Sequence, residues 1–307
     1  MNIATLIGAL PGNIAQGLIW AIMALGVYVT FRVLDIADLT VDGSFAVGGA
    51  TAVMMITGGY TVPTAMVVAT IFGLLSGLAT GLLHTLLGIP DILAGILTQI
   101  GLYSINLRIM GGRANVGVNV MNYKLMVSLR SIPQTIIVSL IFVLVIIALM
   151  YWFLGTELGS AIRATGNNPN MSKAQGININ LMKVIGLSLS NGLVALSGAL
   201  LSQYQGFSDI NMGRGSIVIG LAAVIIGEVL GQAIVGKRMN FAIRLVFVAV
   251  GAIIYYIVIG IVLWLKMPTN DLKLFTAIIV AVFLAVPYIK GQMHSSFRKA
   301  AKNGGNE

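Results

Sequence analysis

Residues 133–154 read Pro133-Gln134-Thr135-Ile136-Ile137-Val138-Ser139-Leu140-Ile141-Phe142-Val143-Leu144-Val145-Ile146-Ile147-Ala148-Leu149-Met150-Tyr151-Trp152-Phe153-Leu154, a stretch without a charged side chain. A helix of ~20 apolar residues crosses a bilayer. Lipid offers the backbone no partners, so such a segment must bond to itself. Blocks of the same kind recur at 13–31, 42–57, 62–88, 90–110, 180–203, 217–235, 241–265 and 272–288, predicting about eight or nine spans. The block at 42–57 is short, which predicts a tilted or broken span. Hydrophobic residues make up 58% of the 307-residue chain and charged residues 9%, against about 25% charge in a soluble domain. So few charges exclude a water-soluble enzyme. The expected fold is all-α, a polytopic helical membrane protein. No linker divides residues 1–290, and 291–307 form a polar, basic tail.

The formal net charge is +9. In this setting the excess reports topology rather than nucleic acid, because basic residues collect in interior loops. If the loop at 155–179 is interior, that side holds Arg32, Arg163, Lys173, Lys183, Lys237, Arg238, Arg244, Lys290, Arg298, Lys299 and Lys302, eleven residues. The exterior holds Arg108, Arg113, Lys124, Arg130, Arg214, Lys266 and Lys273, seven residues. The bias predicts an exterior N-terminus and an interior C-terminus, with the tail near anionic lipid. The first eleven residues lack the charged start of a signal peptide. The chain has no cysteine, which removes disulfide and thiolate chemistry.

A pattern occurs twice. Asp38 is followed by Gly43-Ser44, Gly48 and Ala50; Asp209 is followed by Gly215-Ser216, Gly220 and Ala222. Each copy follows one apolar span and leads into another. The predicted topology has the copies crossing in opposite directions, as in an inverted repeat, whose broken helices flank a transport pathway. Spans one to four would then mirror spans six to nine.

The longest informative polar stretch is 155–178: Gly155-Thr156-Glu157-Leu158-Gly159-Ser160-Ala161-Ile162-Arg163-Ala164-Thr165-Gly166-Asn167-Asn168-Pro169-Asn170-Met171-Ser172-Lys173-Ala174-Gln175-Gly176-Ile177-Asn178. Gly166 permits a positive φ, and Asn167-Asn168-Pro169 resists helix continuation. A turn is expected there, between short helices at 157–165 and 170–175. The product is a compact knob suited to docking in a partner's groove.

Arg163-Ala164-Thr165-Gly166-Asn167-Asn168-Pro169, followed by Ala174 and Gly176-Ile177-Asn178, resembles the cytoplasmic coupling segment of ATP-binding-cassette importer permeases of the branched-chain amino-acid permease family. Residues 39–52 resemble the family's Gly/Ala-rich second span, and Gly220-Leu221-Ala222-Ala223-Val224-Ile225-Ile226-Gly227 a later Gly-rich helix. The Asp38, Asp42 and Asp209 forms look closest to a less characterised subgroup linked to aromatic amino acids. After Gly227 the chain departs from the leucine-type members, with Glu228-Val229-Leu230-Gly231-Gln232 in place of a small-residue run.

The resemblance implies a multi-pass cell-membrane permease subunit that moves a small solute, an amino acid and, in that subgroup, an aromatic one, and that performs no catalysis. It implies a second permease copy or a sister permease, a cytoplasmic ATPase dimer that uses ATP and magnesium, and an extracellular substrate-binding protein. This chain would bind no cofactor. Glu157, Arg163, Gly166, Asn167, Asn168 and Pro169 would shape the ATPase contact.

Polar residues inside the spans are the candidate pathway: Gln99, Asn106, Asn191, Glu228 and Gln232. Membrane helices also use such groups to tie neighbours together. Glu228 is expensive as a lone carboxylate at mid-span, and Gln232, one turn on, is placed to hydrogen-bond to it. Asp38, Asp42 and Asp209 are cap or gate candidates, since Asp at a helix start caps free N–H groups. Gly73, Gly77 and Gly81 form a small-residue packing stripe, and His84 reads as a satisfied interfacial histidine.

Gly231-x4-Gly236-Lys237 imitates a P-loop, but Arg238 stands where Ser or Thr must ligate magnesium, and no strand precedes it. Nucleotide hydrolysis must therefore lie in another subunit. The alternative reading is an ion-coupled secondary transporter with Glu228 as its proton site. An intramembrane enzyme lacks its paired catalytic residues here.

Overall fold

The computed structural model describes residues 3–120, 122–236 and 239–265, with positions 274, 277, 278, 281, 282 and 285. The expected ninth span, the basic tail, Lys237 and Arg238 lie outside the described residues or almost wholly so. Ten α-helices fall within them: α1 (Ile3–Tyr28), α2 (Thr40–Thr57), α3 (Val62–Thr85), α4 (Asp91–Ile109), α5 (Ile132–Gly155), α6 (Glu157–Asn167), α7 (Pro169–Ala174), α8 (Ile179–Gln205), α9 (Ser216–Ile234) and α10 (Phe241–Trp264). Seven are long and apolar enough to cross a membrane, the first continuing to Val33. Among the expected spans, helix α2 is the exception. It is an unbroken eighteen-residue helix, which corrects the expectation of a broken span. Its surroundings explain its composition: fourteen of those residues are buried, so it meets protein rather than lipid and can be small and polar.

Helix α1 ends in a π-turn over Val29–Val33, closed by Leu34 N–H donating to Val29 O at 3.0 Å. Asp35 then adopts φ +56°, alone among the described non-glycine residues. Asp is one of the few L-residues that enter this left-handed region, and the chain turns back there into α2.

Helices α1 and α8 form the centre. Ser190 Oγ donates to Gly26 O at 2.7 Å, Ser197 Oγ to Ile19 O at 2.8 Å, and Tyr204 OH to Gly12 O at 3.3 Å. Rising numbers on α8 meet falling numbers on α1, so the two run antiparallel. The same reversal relates α8 to α3. A Cβ on Gly73 or Gly77 would collide with the Asn191 or Leu187 carbonyl oxygen, and one on Gly81 would lie 2.9 Å from Val184 Cα. The expected small-residue stripe thus seats α3 directly on the α8 backbone. Likewise α1 meets α10, with Gly17 against Ile253 and Asn13 against Gly260, and α10 meets α9, with Gly251 against Ala223.

These pairings exchange under one rule. Substituting α8, α9 and α10 for α1, α2 and α3 turns the α8–α3 contact into the α1–α10 contact, and the α2–α3 contact into the α9–α10 contact. Because α1 and α8 are antiparallel, the halves are inverted.

Polar side chains cross-link the interior. Thr40 and Thr80 hydroxyls lie 2.6 Å apart, and Thr80 Oγ1 donates to Thr98 Oγ1 at 2.9 Å, joining α2, α3 and α4. Trp20 stacks on Phe45 with ring centroids 4.8 Å apart. The outward face of α5, with Ile137, Ile141, Leu144 and Trp152, is exposed, as a lipid-facing surface requires. One departure from an all-helical reading is a short antiparallel ribbon, β1 (Asn115–Gly117) with β2 (Phe207–Asp209), pairing Val116 with Ser208.

Candidate functional site

The polar residues of the spans separate into three groups. The first lines a cavity of about 360 Å³ between α2, α4 and the 210–214 loop. Gln99 and Asn106, two of the pathway candidates, lie on it, together with Asp42, Tyr103, Ser104, Asn211 and Arg214. Gln99, Tyr103 and Asn106 recur at i, i+4 and i+7, one face of a helix. That spacing was the signal by which Tyr103 could have been found. Arg214 and Asn211 carried no such signal, because the loop reaches the cavity only through the return of the chain after α8. Asn106 is 1% exposed, and its Oδ1 has no hydrogen-bond partner among the described residues.

Asp42 borders this cavity, and its role is corrected. It does not cap its own helix. Its Oδ1 accepts from Ser216 Oγ at 2.9 Å and Ile217 N–H at 3.0 Å, and its Oδ2 accepts from Gly215 N–H at 2.9 Å. The carboxylate therefore caps α9, where the exposed N–H groups and the helix dipole favour an anion. Gly213 packs so closely on Asp42 that a Cβ would strike its carbonyl oxygen. The starts of α2 and α9, the helices that carry the two copies of the repeat, are thus bonded to each other.

The second group is a buried cluster. Asp38 Oδ1 accepts from Thr40 N–H at 2.9 Å, the first N–H of α2, from the position before the Leu39 N-cap. Its Oδ2 accepts from Asn191 Nδ2 at 2.6 Å, and Ser44 Oγ donates to Asn191 Oδ1 at 2.6 Å. Asn191 is fully buried and is a tie between α2 and α8; it does not line the cavity. Asp209 repeats the local geometry of Asp38, its Oδ1 accepting from Asn211 N–H at 2.7 Å, and its Oδ2 accepts from Asn115 Nδ2 at 3.3 Å across the ribbon.

The third group lies at the far end, around α6 and α7. Here the expected turn moves. Gly166 is helical, and α6 runs on through Asn167. Its need for glycine is contact: a Cβ would collide with the Val33 carbonyl oxygen at the end of the π-turn. The break comes at Asn168, with φ −153° and ψ 95°, the extended geometry imposed on a residue before proline. Asn168 Oδ1 accepts from Met171 N–H at 3.1 Å and caps α7, where Pro169 takes the first turn. Glu157 stands in the first turn of α6, next to the Thr156 cap. Arg163 lies over the Phe241 ring at 5.5 Å and donates to Leu154 O at 3.4 Å, so it seats α6 against α5 and α10.

Beside this knob a cavity of about 640 Å³ is lined by Arg32, Arg163, Arg244, Asn167, Tyr28 and Phe241, among others. Glu228 is not a lone carboxylate: Arg32, which lines this cavity, donates through Nε to its Oε1 at 2.8 Å. This ion pair binds the end of α1 to α9. No bond between Glu228 and Gln232 is found among the described residues, and neither residue lines the Asn106 cavity.

The family of the branched-chain amino acid transport system permease component matches residues 12–287. The chain belongs to that family. It is an apolar, multi-pass permease of a transport system rather than an enzyme. The permease is 40% identical to a tyrosine transport system permease protein of Clostridioides difficile, over 92% of each chain. An uncharacterized protein of Rickettsia prowazekii is 33% identical over 88% of this permease and 94% of its own length. An autoinducer 2 import system permease protein of Escherichia coli is 30% identical over 70% of this permease and 61% of its own length. No solved structure matches.

Elsewhere in the permease His84 is satisfied at both ring nitrogens, with Ile89 O at 2.8 Å from Nδ1 and Lys183 Nζ at 3.0 Å from Nε2. Lysine can only donate, so Nε2 accepts and Nδ1–H donates. No group of three metal-ligating side chains occurs among the described residues.

Proposed function

We propose that this permease is the transmembrane subunit of an ATP-binding-cassette importer whose cargo is a small solute, an amino acid, with an aromatic one favoured by the name of its 40% identical relative. The α6–α7 knob faces the cytoplasm and docks on an ATPase dimer that uses ATP and magnesium; a second permease, identical or sister, completes the pathway, and an extracellular binding protein delivers the solute. The observation that carries this reading is the seating of the knob. Gly166 rests on the Val33 backbone at the end of α1, and α1 is held to α9 by Arg32–Glu228. A displacement of α6 is therefore passed by backbone contact to the end of α1, and α1 packs on α8, α9 and α10 of the other half. Nucleotide would then bias two conformations by its different affinity for each. The polar cavity on α2 and α4 is the solute pathway.

The test is Asn168→Ala with Pro169→Ala, which removes the break and lets α6 continue into α7. In vesicles holding the assembled transporter, ATP hydrolysis should persist while solute uptake falls to background. Uptake coupled as in wild type would reject the knob as the transmitting element.

The ion-coupled alternative needs Glu228 to exchange protons along the pathway. Its pairing with Arg32, away from the cavity, favours a strut instead. Uptake that survives a protonophore when ATP is supplied, in both wild type and Glu228→Gln, is the expected outcome.

A further inference from the structure

Two groups on the α2–α4 cavity are left without partners, and they are of opposite kinds. Arg214 is an exposed cation with no side-chain partner among the described residues. Asn106 Oδ1 is a buried acceptor with no donor. A buried polar atom left unmatched costs about 1–3 kcal/mol, so a native fold keeps one where something else supplies the partner. The third charged group, Asp42, is already answered by three donors from the start of α9. It therefore leaves Arg214 uncompensated instead of pairing with it. The cavity, about 360 Å³, falls in the range of small-molecule sites. Its remaining polar lining, with Gln99 and Tyr103, is neutral.

We propose that this cavity is a recognition station for a zwitterion, in which Arg214 takes the carboxylate of the passing solute and Asn106 Oδ1 accepts from its ammonium group. This rests on the solute-permease reading above and adds to it the residues that read charge. The guanidinium supplies the charge-assisted, two-pronged contact that suits a carboxylate. The amide oxygen gives the ammonium an acceptor without adding net charge, so the solute is held weakly enough to leave.

The experiment uses the assembled transporter in proteoliposomes, with labelled tyrosine and the other proteinogenic amino acids as solutes, and tyramine (which lacks the carboxylate) as the comparison. Arg214→Gln should lower amino-acid uptake on the order of tenfold, the cost of one charged hydrogen bond, and should erase the preference over tyramine. Arg214→Lys should restore part of both. Asn106→Asp, which keeps size and adds charge at the ammonium end, should raise tyramine uptake relative to tyrosine. Each variant is checked for normal assembly with the ATPase. Wild-type uptake of amino acids with unchanged discrimination in both Arg214→Gln and Asn106→Asp would overturn the station and leave the permease reading standing. Wild-type uptake confined to solutes without a carboxylate would do the same. A wild type that moves no solute on ATP would overturn both.

Discussion

Single carboxylates show how position along the chain and role in the fold come apart. Asp38 and Asp42 both stand beside the start of α2, yet only Asp38 accepts from an N–H of that helix, at Thr40. Asp42 is one turn further on and faces away from its own free N–H groups, towards those of α9. Removing it leaves two backbone donors and a serine hydroxyl unanswered at the start of α9. Asp42→Ala should cost about 1–2 kcal/mol, read as a lower unfolding midpoint in detergent, while Asp42→Asn, which retains an acceptor oxygen, should lose less. Glu228 is the opposite case. Its ion pair with Arg32 is open to solvent, with side-chain exposures of 15% and 49%, and such pairs contribute about 0–1 kcal/mol. A double-mutant cycle with Glu228→Gln and Arg32→Gln should give a coupling within that range. A larger value would mean that the end of α1 is held more tightly than its exposure allows.

At the scale of elements, the knob depends on where α6 ends. Proline sets that point through the residue before it, which is why the break is at Asn168 and not at Gly166. Glycine in a helix interior is costly by about 0.5–1 kcal/mol, and Gly166 is retained for the approach of α6 to the π-turn. Gly166→Ala should therefore improve the intrinsic helix while weakening its seating. The expected result is reduced transport per ATP hydrolysed with little change in unfolding temperature, measured side by side. The turn at 166 was misplaced because sequence shows glycine without showing which of its two properties, free φ or missing Cβ, is in use. The positions of the helices themselves were legible: the blocks at 62–88, 133–154 and 180–203 coincide with α3, α5 and α8 to within a few residues. Apolar length suffices there because lipid enforces helices.

For the molecule as a whole, the inverted halves meet through backbone-to-backbone contacts at small residues. Gly77 on α3 faces α8 across the two halves and Gly251 on α10 faces α9 within the second, each with its missing Cβ against a carbonyl oxygen of the neighbouring helix. Gly77→Leu and Gly251→Leu should each destabilise by about 1–3 kcal/mol through overpacking, whereas Gly101→Ala, with open space around it, should be neutral or slightly stabilising. Thermal unfolding of the three variants checks both close contacts against an open control.

Apolar blocks, turn residues and the repeated Asp…Gly-Ser pattern were enough to establish a multi-pass helical protein, the knob at 155–178 and an inverted repeat, because each rests on local composition and on the demand that lipid makes of a backbone. Which polar residues meet one another was decided only by packing. Asn191 and Asn106 look alike in sequence, each a single amide in an apolar helix. One is consumed by Asp38 and Ser44, and the other opens on a cavity with Arg214. That difference depends on which helices are neighbours and how they are rotated, and those are set by contacts between residues more than a hundred positions apart.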